Sequence, residues 1–292
     1  MKKLLLLTIL IACSLAGCSK PQVKSVSMHW GNVNSSITQI VSEVTLSDPL
    51  PFSIPLSGIN VKIYMNGIEM GTGHSIGKAE ITPPQSKIKL IVNLVNSRLP
   101  EWWITHIENG EKTKVEIVSN LEFSIFGFKF GVPITRVSEF ETNFLSGVKI
   151  KNEYINYNGF KLGEVKDINL KWGKVNNETT QIIVDAKVVN EYNIPIEVRY
   201  LRYEIYLNSV EMGKGKIEKS EVIYPKSSKN IEFAMYIQNL KIPEWWITHI
   251  KNGEKTKVKV YMGLGLKSTR EIFLPLNYTY YVETNILESP VG

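Results

Sequence analysis

Of the four histidines, His106 and His249 stand in matching surroundings, and a matched pair of imidazoles is the first place to look for acid–base or metal chemistry. They lie in Pro-Glu-Trp-Trp-Ile-Thr-His-Ile blocks at residues 100–115 and 243–258, which agree at fifteen of sixteen positions. An imidazole needs partners to act as ligand or base, and neither block has HxxxH or HExxH spacing. A helix-face histidine that packs on tryptophan or bonds a carbonyl is the simpler expectation. Glutamates recurring in step are Glu69 and Glu211, Glu101 and Glu244, Glu111 and Glu254, and Glu141 and Glu283. They could form an acid–base pair, but turn, helix-start and strand-end positions account for each of them. Only Asp48, Asp167 and Asp185 are present in 292 residues, which leaves little for calcium loops, carboxylate dyads or a triad. The expectation is a protein with no catalytic residues, no metal site and no cofactor.

Cys18 carries a different chemistry. Lys2 and Lys3 precede an apolar run from Leu4 to Leu15, closed by Leu15-Ala16-Gly17-Cys18. Residues 1–17 resemble the signal peptide of prokaryotic lipoproteins, with cleavage before Cys18 and a diacylglyceryl group on its sulfur. Residues 18–23 would form a tether. Cys13 would leave with the signal, so the mature chain would keep one cysteine and could form no internal disulfide. Losing Lys2 and Lys3 lowers 34 basic residues to 32 against 28 acidic ones, a formal balance of +4. That scattered excess permits weak attraction to anionic headgroups and provides no basic-aromatic module for nucleic acid.

The Trp-Trp pairs invite a carbohydrate or membrane-interface reading. With Trp103, Ile104 and Ile107 on one helical stripe, the other ring, Trp102 (Trp245 in the second block), would point outward and is the candidate contact residue. Core packing at the end of a sandwich is the competing reading. Asn34, Asn177 and Asn277 each open an Asn-x-Ser/Thr triplet, the N-glycosylation acceptor pattern.

The elements that position these residues recur with the blocks. Ile182, Val184, Ala186 and Val188 alternate with other residues at the period of a strand with one buried face, and so do Leu201, Tyr203, Ile205 and Leu207. Their first-copy counterparts are Ile40, Ser42, Val44 and Leu46, then Ile59, Val61, Ile63 and Met65. Further strands are expected at residues 88–94 and 115–125, with partners at 231–237 and 258–266. Asn66-Gly67 predicts a tight hairpin turn. Each block reads as a short helix: Pro100 or Pro243 suits a first position, Glu101 or Glu244 complements the dipole, and Asn109-Gly110 or Asn252-Gly253 ends it. Short strands with turn signals and no βαβ alternation predict an all-β chain of two tandem antiparallel β-sandwiches, each with one short helix. The boundaries drawn are 24–146 and 165–292, with 147–164 as a linker, part of which could extend a strand, and with the two halves expected to orient independently or dock weakly.

A Trp-bearing first strand, the Thr-Gln-Ile strand, an Ile-Tyr-x-Asn-Gly/Ser-x-Glu-Met-Gly hairpin, a proline-started helix and a closing Glu-Thr-Asn strand resemble the WHy domain (water stress and hypersensitive response) of the type 2 late embryogenesis abundant family, over residues 24–146 and 165–290. One loop departs, with Asp48-Pro49 and Asn190-Glu191 where the family tends to carry Asn-Pro. The resemblance implies a sandwich like fibronectin type III domains, no enzymatic activity, and a role in desiccation or other stress by protecting proteins or membranes. The expected function is that of an exported lipoprotein held through Cys18 on the outer face of the cytoplasmic membrane or in the cell envelope. Its contacts would be client proteins or the membrane, and nucleic acid is not expected. The alternatives are a lipid-handling pair with an apolar groove, or a subunit of an envelope complex.

Overall fold

The computed structural model describes residues 22–47, 53–76, 80–125, 128–145 and 152–287. Cys13, Cys18, the signal peptide and most of the tether lie outside them. In chain order the first copy contains β1 (Gln22–Val33), β2 (Ile37–Ser47), β3 (Ile54–Met65), β4 (Ile68–Ser75), β5 (Glu80–Ile81), β6 (Gln85–Val95), α1 (Leu99–Glu108), β7 (Lys112–Ile125) and β8 (Phe128–Glu141). Next come β9 (Glu153–Tyr157), β10 (Phe160–Val175), β11 (Thr179–Asn190), β12 (Ile196–Leu207), β13 (Val210–Ile223), β14 (Ser228–Gln238), α2 (Ile242–Lys251), β15 (Lys255–Lys267) and β16 (Glu271–Glu283). The fold is all-β with one short helix per copy, as expected.

The chain forms two compact units whose limits differ from those drawn on the sequence. One holds residues 1–95, 115–138 and 287–292; the other holds 96–114 and 139–286. The first is an antiparallel sheet in the order β1-β2-β6-β4-β3-β7-β8, with β5 paired to β3. Asn66 and Gly67 take φ of 49° and 83°, the left-handed pair that a tight hairpin between β3 and β4 requires.

The second unit is a sandwich of two four-stranded sheets, β14-β11-β10-β9 and β13-β12-β15-β16. Strict alternation on β11 turns Ile182, Val184, Ala186 and Val188 inward, and β12 turns in Leu201, Tyr203, Ile205 and Leu207. In the first unit Ile40, Ser42 and Leu46 are buried as expected, whereas Val44 is only half-buried. The supposed linker is corrected from Glu153 onward: β9 pairs with the start of β10 from Tyr157↔Phe160 to Glu153↔Val165, and Ile155 is fully buried. An Asn-rich stretch here is a hairpin, with its turn at Asn158-Gly159. α1 of the first copy is built into the same unit as the second copy, so the unit boundary falls inside the first copy and not between the two.

Candidate functional site

Both duplicated blocks meet inside the second unit. α1 and α2 each carry a proline in the first turn and an acidic residue near the N-terminus, with Arg98–Glu101 and Lys241–Glu244 ion pairs both at 2.9 Å. Asn109 caps α1, then Gly110 (φ 69°) and Glu111 (φ 64°) take two successive left-handed steps; Gly253 (φ 67°) and Glu254 (φ 59°) repeat them. A left-handed glutamate is strained by roughly 1 kcal/mol, so something must hold it there. What holds it is its carboxylate.

Glu111 Oε2 accepts from the Thr142 hydroxyl at 2.8 Å and from the Phe144 N–H at 2.7 Å, while Oε1 accepts from the Trp172 indole at 2.8 Å. Glu254 Oε2 accepts from Thr284 at 3.0 Å and from the Ile286 N–H at 2.6 Å. These bonds also fix the histidine tautomer. Thr142 gives its one hydroxyl proton to a carboxylate, so at 2.8 Å it must accept from His106 Nε2–H. Nδ1 of the neutral ring is then an acceptor, and the Thr113 hydroxyl donates to it at 2.7 Å while accepting from the Trp102 indole at 2.9 Å. A single relay of donors runs from Trp102 through Thr113, His106 and Thr142 to Glu111. Trp245, Thr256, His249, Thr284 and Glu254 form the same relay in the second block.

Burial drives both imidazoles down to about 4, opposed by backbone bonding at Lys112 and at Lys255. At neutral pH they are uncharged, and at 0% and 1% exposure they are sealed from solvent. As built, the relays position the two helices. The expectation that these histidines pack on tryptophan is met, with ring centroids 5.1 Å apart for Trp102–His106 and 5.3 Å for Trp245–His249.

The outward placement of Trp102 and Trp245 is corrected: they are 1% and 2% exposed. The buried stripe of α1 is Leu99, Trp102, Trp103, His106 and Ile107, spaced i, i+3, i+4, i+7, i+8, and Ile104 lies beside it, half-buried. Each tryptophan of one helix stands edge-on to one of the other, Trp102 against Trp246 at 5.5 Å and Trp103 against Trp245 at 5.8 Å. The Trp103 indole also donates to Thr180 on β11 at 3.0 Å, and Thr180 passes its proton to Asn239 at 2.7 Å. Strand β11 of the second copy is thus tied to the helix of the first.

Sequence reasoning missed the four threonines as partners of the histidines, and Glu111 and Glu254 as acceptors for two of those threonines. The signal was there, since Thr113 and Thr142 recur as Thr256 and Thr284 in step with His106 and His249. Asn34, Asn177 and Asn277 are all exposed. Asn34 Oδ1 accepts from the backbone N–H of Ser36 and Ile37 in a turn. Among the described residues, no group of three or more His, Cys, Asp or Glu is placed to hold a metal ion. An apolar cavity of about 30 Å³ lies between the two sheets, bordered by Trp103, Phe144, Trp172 and Tyr280. It has room for one or two water-sized groups.

Comparison with solved structures finds a protein from Archaeoglobus fulgidus at 30% identity, covering 42% of this chain and 99% of that one, with a TM-score of 0.41. A protein from Arabidopsis thaliana, solved in solution, is 20% identical over 41% of this chain and 80% of its own, with a TM-score of 0.30. A β-glucuronidase from Bacteroides uniformis is 11% identical, covering 89% of this chain and 32% of that one, at a TM-score of 0.25. No match was found among curated proteins. The profile of the late embryogenesis abundant proteins matches twice, at residues 44–137 and 185–277, once in each copy and over more than half of the sequence. The chain therefore belongs to the late embryogenesis abundant family.

Proposed function

We propose that this chain is a non-enzymatic lipoprotein that displays a pair of late embryogenesis abundant domains outside the cytoplasmic membrane and acts by protective contact with proteins or membrane under stress. One observation carries the non-enzymatic part. The titratable side chains that the two blocks repeat at buried positions, His106, Glu111 and their counterparts, are bonded to threonines and indoles inside the fold. Family membership over both copies supports the stress role. The Leu15-Ala16-Gly17-Cys18 segment supports the anchor. Cys18→Ser should move the protein from the membrane fraction to the soluble fraction of its host. Retention in the membrane fraction through a high-salt wash, which strips electrostatic contacts with anionic lipid, would refute anchoring by lipid.

The alternative of a lipid-handling pair needs a groove. The cavity of the second unit, at about 30 Å³, is too small for an acyl chain without movement of the sheets. Lipid extraction and mass spectrometry of the purified protein would overturn this preference by finding a stoichiometric acyl lipid.

A further inference from the structure

At the end of the second unit where β11 finishes, Asn190 locks two turns together and two further turns are tied to them. Its side-chain amide donates to the carbonyls of Ile194, Ile223 and Tyr224 at 2.8, 3.1 and 3.2 Å, and its oxygen accepts from the Tyr192 N–H at 2.9 Å. The Glu191 N–H reaches the Leu162 carbonyl at 2.9 Å, bringing in the β9–β10 hairpin. Ser268 of the β15–β16 turn donates to the Pro195 carbonyl at 3.0 Å.

From this pinned scaffold aromatic side chains project into solvent. Phe160 is 67% exposed and Tyr224 is 71% exposed, with Tyr192 beside them at 39%. Cations stand among them. Lys161 lies 4.4 Å from the Tyr154 ring centre and 3.0 Å from Glu191, while Lys226 bonds the Glu191 carbonyl at 2.7 Å. Lys267 and Arg270 flank the β15–β16 turn, and Glu271 beside them is paired with Arg199. The balance of the tip is basic.

We propose that this tip docks on an anionic bilayer surface. Three properties favour a lipid surface. The rings sit on convex turns, where they can enter an interface without a matching pocket. Aromatic side chains beside lysines prefer the headgroup layer, and basic residues are drawn to anionic leaflets. The turns are already ordered by Asn190, so contact costs little conformational entropy. Chain length adds a further argument that rests on the anchoring reading: β1 starts at Gln22, four residues after Cys18, which is about 14 Å of extended chain at most. A lipidated Cys18 would hold the first unit at the bilayer and, by tethering, raise the effective concentration of the second unit there.

The test uses the chain from Ser19 onward, which contains every described residue and has no acylation site. It is mixed with vesicles of phosphatidylcholine, with or without phosphatidylglycerol, and bound protein is measured by co-sedimentation. Binding to the phosphatidylglycerol vesicles, weakened by salt, is expected. Lys161→Gln with Lys226→Gln should weaken it by about fivefold per lysine. Phe160→Ser with Tyr224→Ser should weaken it by about tenfold or more. Unchanged urea midpoints would show that the variants fold. Phe160→Trp supplies a gain-of-signal readout, a blue shift of emission on adding phosphatidylglycerol vesicles. Equal binding to phosphatidylcholine alone, no binding to either vesicle, or variants that bind like the parent would each overturn the proposal. Because the acyl group is missing throughout, such a failure is separate from the Cys18→Ser fractionation result.

Discussion

Lowering the pH is the sharpest perturbation of the paired relays. His106 and His249 are held down to about 4 by burial, against 6.5 for a free imidazole. The sign follows from which state binds more protons. Between these two values the unfolded chain takes up protons that the folded chain refuses, so stability falls as pH falls. The contribution is complete above pH 6.5 and is lost progressively as the pH drops towards 4. Holding each imidazole at about 4 instead of 6.5 corresponds to roughly 3 kcal/mol per histidine over the whole window, of which about 2 kcal/mol is gone by pH 5. Two histidines together remove about 4 kcal/mol at pH 5, a large part of the roughly 5–15 kcal/mol of a typical domain.

Tryptophan fluorescence suits the measurement, because five of the six tryptophans lie in the second unit. Urea unfolding would be followed at several values between about pH 7.5 and pH 5 for the parent and for His249→Gln. The variant will be less stable at neutral pH, since Thr256 and Thr284 lose a partner. It should also lose about half of the parent's pH dependence. Parallel pH profiles for parent and variant would refute the reasoning, as would a resonance assigned to His106 or His249 that titrates near 6.5 by NMR.

Glu111→Ala removes the acceptor of the Trp172 indole, the Thr142 hydroxyl and the Phe144 N–H, and leaves a strained left-handed alanine; a loss of about 3–5 kcal/mol is expected by urea unfolding, with Glu111→Gln losing less. Gly213→Ala would place a methyl carbon 2.1 Å from the Tyr236 carbonyl oxygen on the backbone, so a loss above about 2 kcal/mol is expected. Gly263→Ala meets the Phe273 ring at 2.0 Å, but that ring is 55% exposed and can swing away; thermal scans should show a loss of under about 1 kcal/mol. Tyr278→Phe removes a buried hydroxyl without a hydrogen-bond partner, one whose pKa burial pushes up to about 12, and should be neutral or stabilising by up to about 1 kcal/mol in urea unfolding.

Faces were legible wherever one period dominated. The alternation on β11 and β12 holds residue for residue, because a strand between a core and solvent offers one choice of face. The helix ends were legible for a similar reason, since proline, glutamate and Asn-Gly act locally. The direction of Trp102 was not. A stripe that includes Ile104 assumes a helix lying on one sheet, yet α1 meets both strands of the second copy and α2, so a wider face is covered and both indoles turn in. Nor do the histidines look like core residues from sequence alone. They become so only when threonines distant in the chain satisfy both ring nitrogens. The linker was legible only in part, as a segment that could extend a strand, because Asn and Gly mark hairpin turns as strongly as they mark loops.

The near-identity of the two blocks has a physical cause in this arrangement. In two separate sandwiches each block would answer only to its own core, and the pair could drift as far apart as β2 and β11 have. Here each block is part of the other's environment. Trp102 packs on Trp246 and Trp103 on Trp245, and Trp172 of the second copy bonds Glu111 of the first. A volume change in one helix must be met by the other, and two surfaces that face each other edge-on tolerate few such changes. The one position that differs is Glu108 against Lys251, and both of these side chains are exposed. Contact between the copies restrains the fifteen shared residues more directly than a common ligand would.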